Sequence, residues 1–107
     1  MDEVLYEKLK KVARSRPTTF YSDIAPLVNL DMGNPHDRKV IGELLGEISS
    51  FEHEHGRPLL SAIVVSIQGY SPGPGYFGLA RSLGVLNHDD EDKHWVEERD
   101  KVWNQWA

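Results

Sequence analysis

The sequence predicts an α+β fold: one mostly helical domain, residues 1–107, carrying a single short β-sheet. Three observations predict it. Apolar residues recur at helical spacing over 2–14, over 36–55 and along a final stretch from Trp95 to Trp106. One segment, Leu59–Ile67, is instead a nearly unbroken apolar run rich in β-branched residues. The chain has 107 residues, 39% of them hydrophobic and 27% charged, which is one ordinary globular domain.

Bulk properties exclude several classes. No apolar run approaches the ~18 residues that mark a membrane span. The start, Met1-Asp2-Glu3, lacks an apolar core, so no signal peptide is expected and the chain reads as cytoplasmic. There is no cysteine, which rules out disulfides, thiolate ligands and a Cys nucleophile. The net charge of −5 is uneven: residues 87–107 hold seven acids against three bases. Residues 1–86 hold ten acids and nine bases and are near neutral.

In the first helix Val4, Leu5, Leu9 and Val12 make the apolar stripe, and Pro17 ends it. Residues 18–25 predict a short second helix, capped by Thr19 or Ser22 and shortened or kinked by Pro26. Asn29–Pro35 is a turn. The long helix over 36–55 starts with Asn34 as cap and Pro35 at its first position. Val40, Ile41, Leu44, Leu45, Ile48 and Phe51 fall on its inner face. Gly42 and Gly46, one turn apart, each cost the helix about 1 kcal/mol relative to Ala, so another backbone is expected to pack closely there. Gly56 stops the helix.

Leu59–Ile67 is expected to be the central strand, covered on both faces. Its partner is either Phe20-Tyr21 or the loop Gly69–Tyr76. Residues 76–83 predict a short helix closed by Gly84. Asn87–Asp92 supplies a cap and clustered acids for the last helix, which carries all three tryptophans. Their aromatic face is expected to dock on the core.

The middle of the chain resembles the winged helix-turn-helix domain of the alkylguanine-DNA alkyltransferases and the alkyltransferase-like proteins. Phe20-Tyr21-Ser22-Asp23-Ile24-Ala25 is similar to that family's Thr-Tyr-Gly-Glu-Ile-Ala opening. Lys39-Val40-Ile41-Gly42-Glu43-Leu44-Leu45 resembles its Arg-x-Val-Gly-x-x-Leu recognition helix, with Lys39 at the position of the arginine finger. Ser61–Val65 aligns with Pro-Cys-His-Arg-Val, and Gly75–Leu79 resembles the Gly-Tyr wing. The resemblance covers roughly residues 18–84 and implies a winged-helix fold. It does not imply alkyl transfer: Ala62 stands at the nucleophile's position, with Ile63 and Val64 in place of His and Arg. Core-like residues are thus expected where the family reads a base.

Candidate sites follow. In a helix-turn-helix the leading residues of the second helix enter the major groove, which nominates Arg38 and Lys39, extended by Arg57, Tyr70 and Arg81. His53 and His55, two residues apart on a helix, diverge by about 200° and make a poor metal pair. His88 and His94 lie among acids that already serve as helix-start residues. No metal site, cofactor or catalytic constellation is expected. The expected function is a non-catalytic nucleic-acid-binding module, with DNA as partner. The alternative is a protein–protein module, a homodimer or accessory subunit, using the Trp-rich helix and the Gly/Pro loop.

Overall fold

Asp2 opens α1 (Glu3–Ser15) by accepting the Leu5 N–H at 2.9 Å, satisfying one donor that a helix start leaves free. The computed structural model describes residues 1–107. α1 ends where Arg16 takes a left-handed φ of 62° ahead of Pro17. Leu5, Leu9 and Ala13 are its buried stripe, whereas Val4, expected in that stripe, is 60% exposed. Thr19 and Phe20 form β1. α2 (Tyr21–Ile24) follows at once, without a side-chain cap. Thr19 lies in β1 and does not cap it, contrary to expectation, and Ser22 lies inside the helix. Pro26 then tightens the chain into a 3-10 turn over Ala25–Val28.

α3 (Pro35–Glu54) begins as the sequence implies. Asn34 Oδ1 accepts the N–H groups of His36 at 2.9 Å and Asp37 at 3.4 Å. Ile41, Leu45 and Ile48 are buried beneath it, and so are Ser49 and Glu52. Gly56, at φ 72°, redirects the chain after α3.

The expected strand over Leu59–Ile67 is corrected. Leu60–Ile63 is a 3-10 turn, and only Val64–Val65 (β2) reaches sheet geometry. β2 pairs parallel with β1, Thr19 opposite Val64 and Phe20 opposite Val65. The burial was legible, since every residue from Leu59 to Val65 is buried. Its conformation was not, because an apolar run fits a buried turn as well as a strand. Partners other than a ladder satisfy this backbone. The Leu59 N–H donates to Glu98 Oε2 at 2.8 Å, and the Ser61 N–H to Ser49 Oγ at 3.0 Å.

Beyond β2 no further strand forms. The chain turns over Ser66–Gly73 and enters α4 (Pro74–Ser82), so the glycine-rich stretch is a loop and a helix start. α5 (Glu91–Trp106) is capped by Asp90, which accepts the Lys93 N–H at 3.0 Å. α1, α3 and α5 pack around the Leu60–Ile63 turn, which sits at the centre of an 18-residue apolar cluster. The tryptophans pack against that cluster. The Trp95 indole N–H donates to Ala62 O at 2.8 Å and that of Trp103 to Pro17 O at 3.1 Å. The chain is therefore a small α+β domain with a two-stranded parallel sheet. No helix is long and apolar enough to cross a membrane.

Candidate nucleic-acid interface

The Asn34 cap fixes where α3 starts, and so puts Arg38 and Lys39 in its first turns, both exposed. Neither forms an ion pair. The nearby acids are engaged elsewhere or simply solvated: Asp37 accepts the Asp31 N–H at 2.9 Å, and Glu47 faces the chain's amino terminus. Arg38 and Lys39 border a pocket of about 430 Å³ between α3 and α4. α3 lines it with Ile41, Gly42, Leu45 and Gly46. Gly73, Pro74, Gly75, Tyr76 and Leu79 form the opposite wall, with Tyr21, Met32 and Ser61 between.

This pocket corrects two expectations. No backbone packs on Gly42 or Gly46: a Cβ added at either, or at Gly75, would meet nothing within 4 Å. The spacing of those glycines was a true signal, but of open space rather than close packing. Second, core-like residues do fill the stretch Ala62–Val64, yet a cavity persists beside it because α3 presents hydrogen atoms where side chains would close the gap.

The hydroxyls of the wall are already bonded. Tyr21 Oη accepts the Gly73 N–H at 2.9 Å, and burial pushes its pKa up. Ser61 Oγ lies 2.6 Å from Ser49 Oγ. Tyr76 Oη lies 2.8 Å from His94 Nε2. The pocket thus combines a largely apolar lining with two cations at its edge that form no ion pair.

The remaining expected residues divide. Tyr70 is 65% exposed, with its ring 5.9 Å from Phe20, the neighbour of pocket residue Tyr21. Its φ of 50° is left-handed, a strained setting for a tyrosine. Arg57 lies past the far end of α3, whose axis runs about 24 Å from Arg38 to Glu54. There it pairs with the buried carboxylate of Glu52 and stacks on Phe51 and Trp106. Arg81 is tied to His88 O at 3.2 Å and to Glu91 at 3.4 Å. Neither arginine joins Arg38 and Lys39. No cluster of three His, Asp or Glu is arranged to hold a metal ion. His55 Nδ1 bonds Phe51 O at 2.8 Å, and His88 Nδ1 accepts the Asp90 N–H at 3.1 Å. His94 is buried, which the sequence did not signal.

No protein-family model, curated protein or solved structure matches the chain.

Proposed function

We propose that the chain is a non-catalytic nucleic-acid-binding module of winged-helix type. Arg38 and Lys39 grip the phosphate backbone, and the adjoining pocket takes a base turned out of the stack. One observation carries this: two cations without carboxylate partners stand at the mouth of a largely apolar pocket on the leading turns of the longest helix. Tyr70, exposed beside Phe20, offers a second aromatic surface for a base. The alternative, docking of another protein through α5, has less in its favour. Two of the three indoles donate to backbone carbonyls of the same chain.

The test is fluorescence anisotropy with labelled duplexes, one fully paired and one with a single unpaired base. Two phosphate contacts give a log–log salt slope of about −1.8, or roughly tenfold weaker binding at 200 mM than at 50 mM salt. The double variant Arg38→Ala, Lys39→Ala should weaken binding and flatten that slope. Gly46→Leu should abolish preference for the unpaired base while the protein stays folded. Salt-independent binding, or none at low salt, rejects the proposal.

A further inference from the structure

One exposed side chain sits on a backbone its residue type disfavours. Tyr70 has φ 50°, in the left-handed region that bulky side chains rarely enter. Arg16 and Asn29 share that sign, but each closes a helical segment, where the conformation is usual. Tyr70 closes none and stands in the loop Ser66–Gly73. That loop is braced. The Ser66 N–H donates to Ser71 O at 2.9 Å and the Tyr70 N–H to Ser66 O at 2.8 Å. Ser66 Oγ accepts the Gln68 N–H at 3.2 Å and donates to Gln68 Oε1 at 2.8 Å. None of these bonds uses the tyrosine side chain. Tyr70 is the most exposed large apolar residue of the chain, at 65%, and Ile67 in the same loop is 55% exposed. Strain kept at an exposed residue, where glycine would relieve it, points to a role outside the fold.

Both supports of the ring reach the pocket. Phe20, 5.9 Å from the Tyr70 ring, precedes the pocket residue Tyr21. Gly73, also a pocket residue, is three positions on from Tyr70, so their Cα atoms are at most about 11 Å apart. Tyr21 Oη accepts the Gly73 N–H, which joins the two segments at the pocket wall.

We propose that Tyr70 enters the duplex stack at the place vacated by the base that the pocket takes. The inference rests on the reading of the pocket as a base site and adds the residue that keeps the base out. Turning a base out gives up its stacking on both neighbours. An inserted aromatic ring regains part of that stacking, as apolar wedges do at kinked base steps. The braced loop presents the ring already ordered, so insertion gives up little side-chain freedom. The partner is therefore a duplex with an unpaired or missing base, whose gap is already open.

Fluorescence anisotropy on three labelled duplexes tests it: fully paired, with one unpaired base, and with one abasic site. Tyr70→Gly removes the ring and suits the left-handed backbone, so the fold is kept. It should weaken binding to the unpaired-base and abasic duplexes alike, by about tenfold, and leave the paired duplex nearly unchanged. Tyr70→Phe should behave as the unaltered protein. Gly46→Leu, which fills the pocket, should weaken binding only where there is a base to turn out. If Tyr70→Gly leaves the abasic duplex unaffected, or weakens all three duplexes equally, the insertion is overturned while the pocket reading stands. Gly46→Leu without effect sinks the pocket reading instead, and absence of duplex binding sinks both.

Discussion

Glu52 is the residue on which the far end of α3 depends. It is fully buried, and one of its carboxylate oxygens has no hydrogen-bond partner. The other is held by Arg57, whose pKa that bond raises. Removing one member of such a pair leaves a buried charge uncompensated. Arg57→Ala should therefore destabilise the fold by about 3 kcal/mol or more. Arg38→Ala, at an unpaired exposed site, should stay within about 0.5 kcal/mol of the unaltered protein. Urea melts of the two variants check the contrast. Equal midpoints would mean that the Glu52–Arg57 pair contributes nothing. Tyr6 belongs to the same cluster, and burial together with Glu52 raises its pKa from 10.0 to about 12. The unfolded chain gives up that proton first, so stability falls as pH rises from 10 towards 12. Tyr6→Phe should reduce this alkaline loss, the remainder falling to Tyr21 and Tyr76, whose pKa values burial also raises. His94 works in the opposite sense: the unfolded chain takes up its proton first as pH drops below 6.5, so stability falls on that side.

At the level of elements, α3 trades stability for the pocket. Its glycines at 42 and 46 leave room that a methyl group would enter without a clash. Gly42→Ala and Gly46→Ala should each raise stability by about 1 kcal/mol, because nothing opposes the helix preference of Ala. Asn34→Ala should cost about 1 kcal/mol through the lost cap. Thermal melts read both signs, and a glycine substitution that destabilises would show that the pocket is closed in solution. The same helix shows what a sequence makes legible. Its start, length and inner face follow from Asn34, Pro35 and the spacing of Ile41, Leu45 and Ile48, all local signals. The paired 42/46 glycines were visible, but glycine records only a missing side chain. Whether a neighbour or empty space fills the gap depends on α4, about thirty residues later. Glu52 and His94 escaped for a related reason: polar residues count as surface until a distant partner, Arg57 or Tyr76, is known. Arg38 and Lys39 were legible as exposed cations because they sit just after a cap. Arg57 and Arg81 looked alike in sequence and differ only in what the fold brings beside them.

Across the whole molecule, α5 acts as a brace on the sheet rather than as an appendage. Arg16 donates to Asn104 at 3.1 Å, Trp103 to Pro17 O, Trp95 to Ala62 O, and Glu98 accepts the Leu59 N–H. These bonds reach both chain segments that lead into the parallel pair β1–β2. A two-residue ladder cannot stand alone in water, so the centre of the domain depends on this outer helix. The acids of residues 87–107 thus divide by role. Asp90 caps α5 and Glu98 satisfies a buried amide, Glu91 and Asp100 pair with Arg81 and Arg99, and the exposed Asp89, Asp92 and Glu97 add to the negative charge of the chain. Trp95 and Trp103 separate the brace from simple aromatic burial. Phe at either position keeps a ring but deletes the N–H. At Trp95 the loss leaves the carbonyl of Ala62, a residue with no exposed surface, without its donor, at a cost of about 1–3 kcal/mol. At Trp103 water can replace the donor to Pro17 O, because that bond is exposed. Trp95→Phe should therefore lower the urea midpoint clearly more than Trp103→Phe. Equal losses would instead assign the role of α5 to apolar contact alone, with its hydrogen bonds to the sheet incidental.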